Sequence, residues 1–177
     1  GIGATVGLAL AGGELSTESG HFDLRGRGTG AGSEGLVIGQ GVSIATNGGG
    51  IELSGEGGSG AGVSLEAGSS VDAGNSLVVL RPGGVDANGG LTERTADEIL
   101  IGGGSAGFAL SGAELALIDA PELIIGSNLH AGAIRVLGAT SRSGDLTLQN
   151  DGGSGGIDIQ AALDVGTGTL ALSSGGD

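Results

Sequence analysis

Apolar and polar residues alternate along this chain in very short bursts. The recurring unit is Φ-x-Φ, where Φ is Val, Ile, Leu or Phe and x is polar or small. Phe22-Asp23-Leu24, Ile51-Glu52-Leu53, Leu146-Thr147-Leu148 and Leu170-Ala171-Leu172 are clear cases. Two apolar side chains on one face with a polar one between them define a half-buried strand of minimal length. Glycine, which takes turn conformations that other residues avoid, separates the bursts. The pattern predicts strands that each cross one side of a narrow tube, followed by a corner.

The bursts recur in order. Ile51-Glu52-Leu53, Gly57-Gly58-Ser59-Gly60, Val63-Ser64-Leu65, Val71 and Leu77-Val78-Val79 form one series. It returns as Leu146-Thr147-Leu148, Gly152-Gly153-Ser154-Gly155, Ile157-Asp158-Ile159, Leu163-Asp164-Val165 and Leu170-Ala171-Leu172. Self-similarity of this kind marks a repeat architecture. Coil starts placed at the outstanding units fall at Phe22, Ile51, Leu77, Ile99, Leu123, Leu146 and Leu170, spaced by 22–29 residues. The expectation is an all-β, single-stranded parallel β-helix of about seven coils. Each coil holds three short strands, as at 51–53, 63–65 and 71–73 in the second. Residues 1–177 are read as one continuous solenoid segment, and each strand pairs with its counterpart one coil away, about 4.8 Å along the axis.

In this arrangement the Φ side chains point inward, and Glu52, Ser64, Thr147, Asp158 and Asp164 point to solvent. Asn47-Gly48-Gly49, Pro82-Gly83-Gly84 and Asn88-Gly89-Gly90 have the composition of corners. Ser111-Gly112-Ala113-Glu114 breaks the rule, because it has the form of a capping box and Pro121 follows as a terminator. A short helical turn at 113–118 is one reading; Leu115-Ala116-Leu117 as another Φ-x-Φ strand is the other.

Composition narrows the field. There are 44 glycines, no Trp or Tyr, and only Phe22 and Phe108, so a compact single-core fold would have to be built from aliphatics alone. Collagen needs glycine at every third position, which this chain lacks. Disorder is disfavoured because the Val, Ile, Leu and Phe residues stand in register. Burying an aliphatic contributes about 1.5–3 kcal/mol, against about 1–2 kcal/mol of backbone entropy per ordered residue. That balance favours coverage of both ends by neighbouring coils, hence a longer array. The absence of methionine likewise suggests a piece of a longer protein.

The net charge of −14, with six arginines and no lysine, repels phosphate backbones and anionic lipid, so neither nucleic acid nor membrane insertion is expected. Acidic residues are read as solvating the outside of the tube. No cysteine means no disulfide framework. No apolar run approaches the roughly 18 residues of a membrane span.

Gly107-Phe108-Ala109-Leu110-Ser111-Gly112-Ala113-Glu114-Leu115, then Ile118-Asp119-Ala120 and Leu123-Ile124-Ile125-Gly126-Ser127, and then Gly132-Ala133-Ile134-Arg135-Val136, carry a resemblance. They resemble the repeat region of filamentous haemagglutinin-like adhesins of Gram-negative bacteria, with the clear likeness over residues 99–172. The resemblance implies a right-handed β-helix in a very large secreted protein, exported by two-partner secretion or an autotransporter route. It also implies display at the cell surface and a role in adhesion. No Arg-Gly-Asp is present, and no receptor-binding residue carries across.

Several motifs invite chemistry and are weighed against chance. Gly30, Gly32 and Gly35 fit a dinucleotide fingerprint, but Leu36-Val37-Ile38 after them is strand-like, with no helix to hold a pyrophosphate. Gly103-Gly104-Ser105-Ala106-Gly107 fits a nucleophile elbow, with Asp119 and His130 following in hydrolase order. Yet Phe108-Ala109-Leu110 is strand-like where an elbow needs a helix. Gly152-Gly153-Ser154-Gly155-Gly156 fits the same pattern with no later histidine. Calcium-binding β-roll repeats would place aspartate one residue before Asp158 and recur in tandem. His21 and His130 stand apart, without cysteine or a nearby second histidine, and are read as surface loop residues.

Glu93, Arg94, Asp97 and Glu98 form the densest charged cluster, read as a solvated corner before the strand at Ile99. A carbohydrate-active β-helix enzyme, a polysaccharide lyase or hydrolase, is the rival reading, and it would need clustered carboxylates and aromatic sugar platforms. The expected function is therefore non-enzymatic: a rigid shaft segment of a secreted bacterial surface adhesin or extracellular filament. No catalytic, cofactor-binding or metal residues are assigned. Expected partners are further coils of its own kind, by head-to-tail stacking or as neighbouring repeats, and glycans or proteins of host or neighbouring-cell surfaces.

Overall fold

The computed structural model describes residues 6–86, 88, 90–104 and 107–175. They wind into an all-β parallel solenoid of about six turns with almost no helix. β1 (Leu8–Leu10), β2 (Gly13–Thr17) and β3 (Phe22–Arg27) open the winding. β4 (Leu36–Ile38), β5 (Val42–Thr46) and β6 (Ile51–Glu56) pair on them one for one. β7 (Val63–Leu65), β8 (Ser70–Asp72) and β9 (Leu77–Val85) repeat the course.

An excursion carrying β10 (Leu91–Glu93) and β11 (Ile99–Ile101) follows. The winding resumes with β12 (Phe108–Leu110), helix α1 (Gly112–Leu115), β13 (Ile118–Asp119) and β14 (Glu122–Ser127). β15 (Ile134–Val136), β16 (Thr140–Ser141) and β17 (Asp145–Asn150) come next. Last are β18 (Ile157–Ile159), β19 (Leu163–Asp164) and β20 (Leu170–Ser174).

The longest sheet runs β3-β6-β9-β14-β17-β20, all parallel. Its register stacks Phe22, Ile51, Val78, Leu123, Leu146 and Leu170 in one column, and Leu24, Leu53, Leu80, Ile125, Leu148 and Leu172 in a second. Between them runs a third column of Asp23, Glu52, Val79, Ile124, Thr147 and Ala171. In the middle four strands the first two columns are buried. The Φ-x-Φ units at Ile51, Leu123 and Leu146 thus face the core with their doublets and turn the residue between them outward. Leu77-Val78-Val79 is off by one: Val78 and Leu80 are the buried pair, and Leu77 and Val79 are partly exposed. In an unbroken apolar run the pattern does not say which alternate residues face in.

Six of the seven expected coil starts lie in this sheet. Ile99 does not, because β11 belongs to the sheet ordered β12-β11-β15-β18. An Ile-Leu-Ile triplet fits the wall of the tube on any side, so spacing alone could not say which side it lines. The interval from β9 to β14 is one turn with an excursion inserted in it.

That excursion reverses the chain order within the stack. Gly107 bridges to Ala61 beside β7, β12 follows, and β11, earlier in sequence, is seated between β12 and β15. Parallel neighbours normally need a connection of a dozen or more residues; here 102–107 suffice. Gly102, Gly104 and Gly107 all have positive φ, of 78°, 98° and 71°, which lets so short a return close. Pro82-Gly83-Gly84 is not a corner but lies inside β9. Pro82 occupies the last position paired with β6, where a missing N–H is tolerated, and Gly83 and Gly84 pair antiparallel with β10. In Asn88-Gly89-Gly90, Gly89 lies outside the described residues; the Asp86 carboxylate accepts from the N–H groups of Asn88 and Gly90 at 2.7 and 2.8 Å and closes the hairpin.

Helix α1 begins one residue before the expected turn and is a single turn long. Ser111 caps it and Glu114 answers with its carboxylate on the Ser111 N–H at 2.8 Å. The same Glu114 accepts the Leu65 N–H at 3.1 Å, so the capping box also grips the turn below. The ladder on this side breaks between β13 and β16. Arg142 spans the break, donating to the carbonyls of Ala120, at 2.8 Å, and Asp145.

Candidate functional site

Among the described residues, charge concentrates where the excursion lies against the long sheet. β10 pairs with the far end of β9, and this carries Glu93 over the sheet. Its side chain is almost covered; one oxygen accepts from the Ser127 hydroxyl and the other lies 3.8 Å from Arg81. Arg81 in turn reaches Glu52, two hydrogen bonds to one carboxylate oxygen at 2.5 and 3.1 Å. A second chain runs beside it. Arg27 and Arg94 flank Glu56 at 3.3 and 2.8 Å, and Arg94 also meets Asp97 at 3.3 Å. Glu98 pairs with Arg135 at 3.1 Å across β11 and β15. The remaining arginines, Arg25 and Arg142, hold Asp23 and backbone carbonyls.

Of the cluster Glu93, Arg94, Asp97 and Glu98, the last three stand solvated at the corner before β11, as expected, and each is also an ion-paired strut. Glu93 departs from the expectation, since it lies within β10 and is almost covered. Strands at three levels supply the partners, and each carboxylate meets an arginine. The hydrogen bond and charge of Asp97, with the charge of Glu56, hold the Arg94 guanidinium to its proton more firmly than usual. A surface hollow of about 480 Å³ opens beside the struts, lined by Gly57, Gly58, Arg94, Asp97, Glu98 and Leu100. Its two carboxylates are both engaged by arginine, Asp97 by Arg94 and Glu98 by Arg135.

His130 departs from its expected place. It is fully buried at the corner after β14, not at the surface; His21 is exposed as expected. The backbone fixes it there: its N–H donates to the Ser127 carbonyl at 3.2 Å and its own carbonyl accepts from Gly152 at 2.8 Å. The next two N–H groups, of Ala131 and Gly132, both donate to the Thr95 carbonyl of the excursion, closing the corner over the ring. Neither ring nitrogen makes a hydrogen bond to protein. Burial pushes its pKa below the ordinary value, against the pull of Glu93 and Asp97. Small residues crowd this corner, and only the Ser127-to-Asn150 register, one turn apart, shows that a polar column continues inside it.

The other motifs resolve as loops and strands. Gly30, Gly32 and Gly35 lead into β4, and Gly152-Gly153-Ser154-Gly155-Gly156 leads into β18, with no helix in either case. Ser105 lies outside the described residues. Asp119 is exposed in β13, on a different side of the winding from the corner that holds His130. Asp158 is exposed in β18, and no group of three or more His, Asp or Glu among the described residues is arranged to hold a metal ion. No helix among them is long and apolar enough to cross a membrane.

No family model matches the chain, and neither does any curated protein or solved structure.

Proposed function

We propose that this chain is a non-enzymatic shaft segment of a secreted bacterial surface adhesin or extracellular filament, of the filamentous haemagglutinin-like kind. In this reading the winding is right-handed, with three short strands in a complete coil and β11 counted as a seventh, partial one. The rod holds a distal adhesive part away from the cell or forms part of a fibre. Its partners are neighbouring coils and, through the adhesive part, surface glycans or proteins.

The observation that carries this reading is the unbroken register of the long sheet. Six parallel strands stacked in one direction resist bending, and the ion pairs along them fasten the one excursion instead of forming an open acidic cleft. The rival, an enzyme on acidic polysaccharides, is tested by incubating the protein with pectin-like and uronate-rich polymers. The shaft reading expects no new reducing ends and no unsaturated uronate products. Turnover abolished by Asp97→Asn or Glu98→Gln would overturn it.

A further inference from the structure

The excursion crosses the stack at a place where the interior is polar. His130 is fully buried there with both ring nitrogens unpartnered, and the side-chain oxygen of the buried Asn150, in the next turn, is unpartnered too. The Asn150 side-chain nitrogen donates to the Gly132 carbonyl at 2.6 Å, which ties the His130 corner to that turn. On its other side the corner is closed by residues 94–97, the four-residue link between β10 and β11. The Thr95 carbonyl takes both the Ala131 and the Gly132 N–H, and a Cβ on Gly132 would lie 2.1 Å from the Asp97 carbonyl oxygen. The two backbones are in direct contact.

This link is weakly anchored. Arg94, Thr95, Ala96 and Asp97 bring no large apolar side chain to the core. The Arg94 side chain is nearly half exposed, where ion pairs contribute little. Its flanks are held firmly: Glu93 is almost covered and braced by Arg81 and Ser127, and β11 is paired on both edges, by β12 and β15. We propose that residues 94–97 form a proton-released strap, which lifts from the Ala131 and Gly132 backbone as the pH falls into the mildly acidic range and admits water to His130 while the rod stays wound. An imidazole with no partner for either nitrogen has nothing to hydrogen-bond a positive charge in the closed state, and water supplies it once the strap lifts. The carboxylates that face the ring are Glu93 from β10 and Asp97 from the strap, each already committed to an arginine. β17 contributes the neutral Asn150, and Asp151 beyond it is held by Gln149 and Ser173. Burial outweighs the pull of Glu93 and Asp97, so the closed corner refuses a proton that the open one accepts. A fall in pH below about 6.5 therefore adds to the open population.

The strap does not depend on the shaft reading, and failure of either leaves the other standing. The test is amide hydrogen exchange of the full chain, followed by NMR between about pH 7.5 and pH 5, with each rate corrected for the intrinsic pH dependence of exchange. Protection of the Ala131 and Gly132 N–H groups is expected to fall several-fold over this range, and by about 30-fold at most for a ring of ordinary pKa in the open state. Protection of Leu53 and Leu80, in the middle of the long sheet, is expected to hold. His130→Gln keeps a polar side chain that does not titrate here, and is expected to make the Ala131 and Gly132 protection independent of pH. Circular dichroism shows whether this variant folds; if it does not, the wild-type comparison decides alone. Protection at Ala131 and Gly132 that changes by less than about twofold, a fall shared equally by Leu53 and Leu80, or a fall that survives in folded His130→Gln would each overturn the proposal.

Discussion

Gly55 carries the tightest backbone approach among the described glycines, and Gly102 combines a close approach with a positive φ. A Cβ on Gly55 would lie 1.8 Å from the Gly62 carbonyl oxygen, where the corner between β6 and β7 folds flat. On Gly102, with φ +78°, it would lie 2.2 Å from the Gly138 carbonyl oxygen. Both obstacles are backbone and cannot swing away. Each Gly→Ala change is expected to cost at least about 2–3 kcal/mol, the scale of strain at a disallowed position. Chemical denaturation with a shift in midpoint and an unchanged slope is the check. His130 sets a pH dependence at the same scale. Its folded pKa is depressed, so below about 6.5 the unfolded chain takes up a proton that the folded chain refuses. Stability is therefore fully present above that pH and falls as the pH drops toward the folded value. His130→Leu is expected to flatten the stability profile between about pH 7 and 5; an unaltered slope would remove His130 as its source.

At the scale of elements, the excursion and the helix are where the regular winding is interrupted. The Ser111 cap was legible in sequence because its hydrogen bonds are local, within four residues. The excursion was not, since Ile99 and Phe108 carry the same apolar signal and nothing in their spacing tells which is seated first. Ser111→Ala is expected to cost about 1 kcal/mol. Glu114→Ala is expected to cost more, because it also releases the Leu65 N–H one turn away. The struts differ in worth according to their exposure. Arg94 is 45% exposed, and Arg94→Ala is expected to cost under about 1 kcal/mol, a loss that salt reduces further. Arg81 and its partners Glu52 and Glu93 are 10–19% exposed. Arg81→Ala strands two covered carboxylates, for about 1–3 kcal/mol. Faster proteolysis between residues 86 and 107 in both variants would place these arginines as fasteners of the excursion.

At the scale of the whole molecule, the rod was legible because its core repeats by column. Doublets spaced about one turn apart can share a wall only if the chain winds, and glycine-rich corners permit the winding. Of the internal match between 51–79 and 146–172, β6 with β17 and β9 with β20 share the long sheet, the second pair shifted by one residue so that Val78 and not Leu77 stands in the column of Leu170. β7 and β18, and β8 and β19, lie in separate sheets. The buried His130 corner was hidden because its contacts come from Thr95 and Gly152, far away in sequence. The outward column of the long sheet offers the most direct measurement. The chain has no cysteine, so labels can be placed singly on this face. Pairs of spin labels joining Asp23→Cys to Ile124→Cys, Thr147→Cys or Ala171→Cys span three, four and five steps of the ladder. Stacked turns require separations of about 14, 19 and 24 Å, rising by one interstrand spacing per step. Separations that fail to rise from pair to pair would mean that these strands do not stack, and the solenoid would be wrong.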